Sequence, residues 1–310
     1  MVARATEPQT GAGGDELLFS NDAVSLCLLT HRHQKTMRVI DFRAGPSPRK
    51  RASVLQLAQR QGIDKVFTLV ERDEVSTWTK LGFTKEGNIP GFYKRSDAFL
   101  LGCDAHEPAQ SELRLPTDDD DDDDDARSLA RTPAHLRAEK TVTHARRIAR
   151  QLTERAAVPT KIVPIDVADA RKAADRMAKA GRALTRFERF GRDVTRRYFL
   201  VTARGGFELV ASVESQPCFG NAFLELLTAP RSDADAAATA SAVRTLCDKL
   251  MVEDCVSCFS LAPSDDVALC VAFVHAGFRR TGLLAQHLLV GNRRRDAILW
   301  SRKLANPMGD

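Results

Sequence analysis

The sequence predicts an α/β protein with a mixed, mostly antiparallel sheet, in which a shortened unit precedes a complete one. Three observations carry this. Apolar runs of strand length alternate with helix-period segments along most of the chain. The order β-α-β-α-β of the first part returns inside the fuller order β-α-α-β-β-β-α-β-α-β-β of the second. A small set of residues also recurs at equivalent places: Gly82-Phe83 followed by Gly87 returns as Gly277-Phe278 followed by Gly282, and Asp97-Ala98 as Asp296-Ala297.

Residues 1–16 read as a flexible tail. AVSLCLLTHR and TMRVIDFRA then read as strands, and PSPRKRASVLQLAQRQGI as a helix with Val54, Leu55 and Ala58 on one face. KVFTLVE is a strand, DEVSTWTKLGF a short helix ending at Gly82, and DAFLLG the last strand of a unit spanning 17–105. Residues 106–133 form an acidic linker around Asp118 to Asp125, whose like charges cannot pack into a core. A basic helical segment follows at 134–160.

The complete unit, 161–304, opens with the strand KIVPI and the helix DVADARKAADRMAKAGRAL, for which Asp166 is the expected N-cap. RFERFGRDVT is expected to continue that helix or to form a second one. YFLVTAR and FELVASVES make a hairpin at Gly205-Gly206. AFLELLT is a strand, Asp233 to Val252 an Ala-rich helix, VSCFSLA a strand and DDVALCVAFVHAGF a helix. LLAQHLLV and DAILWSRKL close the unit as paired strands.

Composition excludes several classes. With 6% aromatic residues and no apolar run near the roughly 20 residues a bilayer requires, neither a collagen, a membrane span nor a porin is expected. The N-terminus has no secretory apolar stretch, so a cytoplasmic protein is expected. Cys255-Val256-Ser257-Cys258 has metal-ligand spacing, but it sits in an apolar strand pattern without a second pair, and packed thiols are the plainer reading. No metal is therefore assigned. Residues 1–125 carry 16 basic and 22 acidic side chains, and residues 126–310 carry 30 and 19. The stretch 126–204 alone holds 20 Arg or Lys against 7 acids, yet it lacks any zinc-finger, RNP or KH signature, so nucleic acid is not the expected partner.

A helix, then KLGF or HAGF, then a glycine and a strand pair closing on DAFLL or DAILW resembles the C-terminal half of the GNAT acetyltransferase superfamily. Asn88-Ile89-Pro90-Gly91-Phe92-Tyr93-Lys94, together with Gly291-Asn292-Arg293 and Ile298-Leu299-Trp300, is similar to segments of the β-lysine N-acetyltransferase family, which joins a truncated GNAT half to a complete GNAT domain. The resemblance covers roughly 17–103 and 161–304. It implies transfer of acetyl from acetyl-CoA to a small amine or amino acid. A second copy of the chain is a further partner left open.

The resemblance also assigns roles. Leu226, Leu227 and Thr228 on the central strand would hold the pantetheine arm, and Arg231 would face the diphosphate. The glycine-rich turn expected there is replaced by Asp233-Ala234-Asp235-Ala236, whose carboxylates oppose an anion at a helix N-terminus. The corresponding turn of the first unit, Gly45 to Ser53, is basic but lacks the glycine spacing. Glu225 is placed to deprotonate an amine through water. The tyrosine that protonates the leaving thiolate in many relatives is replaced by Phe273, and by Trp78 in the first unit, leaving Ser264 and His275 as candidates. Gln286 and His287 fall where substrate contacts are expected. Two functions remain open: an N-acyltransferase, or a GNAT-like protein that has lost catalysis and binds or regulates.

Overall fold

The structure is a computed structural model, which describes residues 9–11, 14–20, 24–41, 47–106, 132–153, 157–216 and 218–304. The poly-aspartate run and most of the expected linker lie outside the described residues.

The first part of the chain supplies β1 (Gln9–Gly11), β2 (Gly14–Ser20), β3 (Ser25–His31), β4 (Thr36–Asp41), α1 (Pro48–Arg60), β5 (Lys65–Val70), α2 (Val75–Lys80), β6 (Thr84–Ile89) and β7 (Ala98–Asp104). The helix α3 (Pro133–Thr153) follows. The second part supplies β8 (Thr160–Ile165), α4 (Val167–Lys179), β9 (Thr195–Ala203), β10 (Phe207–Gln216), β11 (Asn221–Leu226), α5 (Asp233–Val252), β12 (Ser257–Pro263), α6 (Val267–His275), β13 (Arg279–Val290) and β14 (Arg293–Lys303).

All 14 strands join one mixed sheet in the order β1-β2-β3-β4-β5-β7-β6-β13-β14-β12-β11-β10-β9-β8. Among the described residues, β4·β5 and β11·β12 are parallel and the other pairings are antiparallel. Outward from the seam between β6 and β13, the same strand polarities and the same positions for the parallel pair repeat on both sides. The seam consists of one register pair, Gly87 opposite Gly282, the two glycines that the sequence repeat matches. A Cβ built on Gly282 would lie 2.6 Å from the Gly87 Cα and from the Glu86 carbonyl, so only glycine lets the backbones approach this closely.

Apolar patterning explains the packing around this sheet. On α3, Ala138, Val142, Ala145, Ala149 and Leu152 recur at helix spacing and are buried in the second-half core with α5 and α6. The first half has its own core of Val39, Val54, Trp78, Phe83 and Leu101. A third cluster belongs to both halves: Phe67, Phe92, Phe190, Phe223, Phe259 and Leu288 meet across the seam. Tilted and edge-to-face ring pairs there, such as Phe67 with Phe190 at 5.9 Å between centroids, bind the halves beyond simple area burial.

Several expectations are met residue for residue. Asp166 caps α4 by accepting the Asp169 N–H at 2.8 Å, Gly205 and Gly206 take positive φ at the β9–β10 turn, and α5 runs from Asp233 to Val252. Others need correction. Strands β1 and β2 begin inside the expected tail: β2 carries Leu17 and Phe19 onto the first-half core, and β1 pairs with it antiparallel. TKEGNI, which has no strand alternation, forms β6. RFERFGRDVT is neither a continued nor a second helix but an irregular segment whose last residue, Thr195, opens β9. No described helix is long and apolar enough to cross a membrane.

Candidate functional site

The irregular segment 184–191 is the natural starting point, since its backbone polar groups must find partners outside a helix. They find them in side chains. The Arg196 guanidinium donates to the carbonyls of Phe187 and Glu188 and pairs with Glu214, and the Glu214 carboxylate accepts the Phe190 N–H at 3.0 Å. The Thr185 hydroxyl accepts the Phe187 N–H at 2.9 Å. Phe187 itself sits at φ 56, a left-handed conformation that a bulky residue holds only when its surroundings fix it.

The first half grips the same segment. Arg38 donates to the Phe190 carbonyl at 2.8 Å and the His31 ring to the Arg189 carbonyl at 2.6 Å. A carbonyl can only accept, so His31 carries its proton on Nε2, and Nδ1 accepts from the Thr36 hydroxyl at 2.9 Å. Glu188 accepts the His33 and Gln34 N–H groups at 2.8 and 3.1 Å. Gln34 in turn accepts the Leu289 N–H at 2.6 Å.

These contacts enclose a cavity of about 50 Å³ lined by His31, Thr185, Glu188, Phe223, Glu225 and His287. Its position follows from the sheet. The parallel strands β11 and β12 pair over only three residues, 221–223 with 257–259, and then diverge, and the cavity opens at that splay beside Leu226 and Leu261. Strand alternation turns the backbone groups of Leu224 and Leu226 toward the gap, since Gly220 already faces β12 through its carbonyl.

The cavity is electrostatically unusual. Glu225 is largely buried, its side chain 11% exposed, and accepts the Thr185 and Ser212 hydroxyls at 2.6 and 3.0 Å, with Arg196 at 4.0 Å. Burial pushes its carboxyl above the ordinary range despite these partners. Burial likewise pushes Glu188 up to about 7 and His31 down to about 4. His287 is held well below its usual value first by burial and then by the charges of Lys65 and Arg294, and its Nδ1 has no partner among the described residues. Its ring meets Phe67 edge-on at 4.9 Å.

Glu188 yields a pH prediction. Between the unfolded carboxyl value and about 7 the folded state holds a proton that the unfolded state has lost, so the stability that this group contributes is fullest at low pH and is lost as pH rises through that window. Glu225 and Glu86 shift in the same direction. Urea melts of Glu188→Gln between about pH 5 and 7 are expected to show a shallower fall of stability with pH than the wild type. An unchanged slope would assign the titration to the other carboxyls.

The sequence candidates divide among several places. Glu225, Leu226 and His287 come together at the splay. Leu227 has both backbone groups engaged, its N–H with the Val210 carbonyl and its carbonyl with the Leu184 N–H, each at 2.8 Å. Thr228 and Arg231 line a separate cavity of about 270 Å³ on the side of the β9–β10 turn. Ser264 is half-buried, with its N–H on the Asp296 carbonyl, and lines neither cavity. His275 lies at the end of α6, where its Nδ1 is 3.2 Å from the Arg244 guanidinium. Gln286 sits in a bulge of β13 at φ 48, exposed where His287 is buried, and is bound to Asp296 by its N–H and its amide at 2.9 and 3.0 Å.

Acetyl-CoA can be tested against these residues. Its diphosphate requires free amides at the start of α5, yet Ser232 accepts the Asp235 N–H and Asp235 accepts the Arg231 N–H, both at 3.1 Å. Asp233 and Asp235 add negative charge to the first turn. The cavity of about 50 Å³ also falls short of the roughly 300–1,000 Å³ of ordinary ligand pockets. The second-half site does not fit the cofactor. At the start of α1, Ser47 makes no side-chain cap, but Lys50 is buried against Asp41, so the basic turn of the first half is partly neutralised.

No protein-family profile matches the chain. No curated protein matches it in sequence. Among solved structures it is similar to the spermidine N-acetyltransferase of Vibrio cholerae in complex with CoA and spermine, at 12% identity and a TM-score of 0.38, over 48% of this chain and 98% of that one. It is also similar to the ribosomal-protein-S18-alanine N-acetyltransferase of Escherichia coli, at 14% identity and 0.35, over 49% and 97%. A putative acetyltransferase of Sphaerobacter thermophilus is matched at 15% identity and 0.34, over 46% and 92%.

Proposed function

We propose that the protein is a ligand-binding or regulatory protein built on an acyltransferase-like scaffold, in which the half from β8 to β14 is a complete unit and the half from β1 to β7 a shortened one, and that its second-half cofactor position does not take acetyl-CoA. The observation that carries this reading is the start of α5, where Asp235 and Ser232 occupy the Arg231 and Asp235 amides and two carboxylates crowd the first turn. Titration calorimetry and thermal melts with acetyl-CoA test it. A ligand bound only by the folded state would add about 2.7 kcal/mol at 100 times its Kd, and no heat and no such shift are expected here. Asp233→Gly combined with Asp235→Gly, and separately Ser232→Ala, are expected to lose about 0.5–2 kcal/mol as broken caps without any gain in CoA binding.

One observation favours a second reading, an N-acetyltransferase for a small amine or amino acid. Glu225 stands at the splay with a raised carboxyl, as a general base would. Saturable heat with acetyl-CoA that grows when the two aspartates become glycine would move the conclusion to that enzyme.

A further inference from the structure

The first half has its own diverging parallel pair, and the space there is far larger. Strands β4 and β5 separate after Val39 opposite Thr68, leaving a cavity of about 390 Å³ within the range of small-molecule pockets. Arg38 and Ile40, alternate residues of β4, both line it, and Leu69 extends the aliphatic wall. Tyr93 and Phe219 supply rings 5.2 Å apart in an edge-to-face arrangement. Phe219 comes from the β10–β11 turn of the second half, so both halves complete the cavity.

Arg38 is a buried cation without a counter-ion. It is only 6% exposed, and the carboxylates of its surroundings are committed elsewhere: Glu214 to Arg196, Glu16 to Arg192 and Asp41 to Lys50. Its Nη1 donates to the Phe190 carbonyl at 2.8 Å, and the Phe190 ring, 5.1 Å from the guanidinium carbon, offers a π face but no charge. The buried Nε has no partner among the described residues. A guanidinium taken out of water is costly unless it is both paired and hydrogen-bonded, and this one is neither in full. Two carboxyls of the cavity wall remain. Asp193 is exposed and lies 3.8 Å from Arg192. Glu74, at the start of α2, makes no ion pair with Arg38, and burial together with the neighbouring acids Asp73, Asp41 and Glu71 favours its protonated form. Burial also pushes the Tyr93 phenol up to about 12 against the pull of the Arg38 charge, so its hydroxyl is a donor at neutral pH.

We propose that this cavity binds a small monocarboxylate with an apolar body, its carboxylate on the Arg38 guanidinium and the Tyr93 hydroxyl and its body against Ile40, Leu69 and Phe219. The planar fork of an arginine matches a carboxylate in shape as well as charge. One unpaired cation calls for one negative charge; a phosphate dianion would bring surplus charge against apolar walls and Glu74. The proposal concerns the first half and does not depend on whether the second-half position takes CoA.

Cys218 gives a direct readout, because it is exposed at the rim of this cavity while the other six cysteines are buried. The full chain would be labelled with a maleimide in the presence of phenylpropanoate, its neutral amide phenylpropanamide, phenylpropylammonium or inorganic phosphate, and the same compounds titrated by calorimetry. Phenylpropanoate is expected to slow labelling saturably and to release or absorb heat over the same range, with none of the others doing so. Arg38→Gln, which can still donate to the Phe190 carbonyl but carries no charge, is expected to weaken that protection about tenfold or more, and Tyr93→Phe, which keeps the ring, about threefold or more. The comparison among the four compounds uses the unaltered chain, so it decides the question even where Arg38→Gln fails to fold. Equal protection by the amide would make the cavity merely apolar, and protection by the ammonium ion or by phosphate would assign it a different charge. Undiminished protection by phenylpropanoate in a folded Arg38→Gln variant would place the anion elsewhere. Any of these results, or no protection by phenylpropanoate, overturns the proposal.

Discussion

Arg196→Met is expected to lower stability by about 3–5 kcal/mol, a fall in Tm of roughly 10 °C for a protein of this size. The guanidinium is nearly buried, with Glu214 more so and Glu225 within 4.0 Å. Its removal leaves two carboxylates with neutral hydroxyl and amide donors but no cation, and two carbonyls of the 184–191 segment without that donor. Arg196→Lys keeps the charge but cannot serve carbonyls and carboxylate together, so it should fall between the two. Denaturant melts decide the matter. A loss below about 1 kcal/mol for the methionine variant would mean that the segment is held by its other contacts, from His31, Arg38 and Thr185.

Gly282→Ala at the seam is expected to be nearly as severe. The added methyl would meet backbone on the opposing strand, not a side chain that could turn aside. Overpacking of this kind costs about 1–3 kcal/mol where structure can shift, and more where it cannot. Relief would require β6 and β13 to part, which would expose the buried Lys65–Glu86 pair and break the bond of Glu86 to the Ala285 N–H at 3.2 Å. The expected result is two separate unfolding transitions, one for each half, with faster amide exchange in β6 and β13. A single transition at the wild-type midpoint would show that the aromatic cluster alone couples the halves.

Local signals were readable because they act over a few residues. The Asp166 cap, the Gly205-Gly206 turn and the bounds of α5 follow from nearest neighbours. The 184–191 segment was not readable, since Phe187 and Phe190 have helix-like spacing, whereas their backbone partners lie on Arg196, Glu214 and, more than 150 residues earlier, Arg38. For the same reason Glu225 and His287 could be named singly, but not their shared cavity or its other members, His31 and Glu188. What the sequence does offer is a charged residue within an aromatic run, Glu188 in RFERF, which burial must either neutralise or pair. Gln286 and His287 were grouped as neighbours, and what separates them is a bulge in β13 that the local sequence does not announce.

Two equivalent strands meeting antiparallel at matched glycines are related by a local two-fold axis normal to the sheet, the symmetry of an isologous homodimer. Here the two partners are one polypeptide. Dilution therefore cannot dissociate them, and the unfolding midpoint should be independent of protein concentration, unlike that of a true dimer. The two halves also need not be identical. One cleft measures about 50 Å³ and the other about 390 Å³, an asymmetry that two identical subunits would not show.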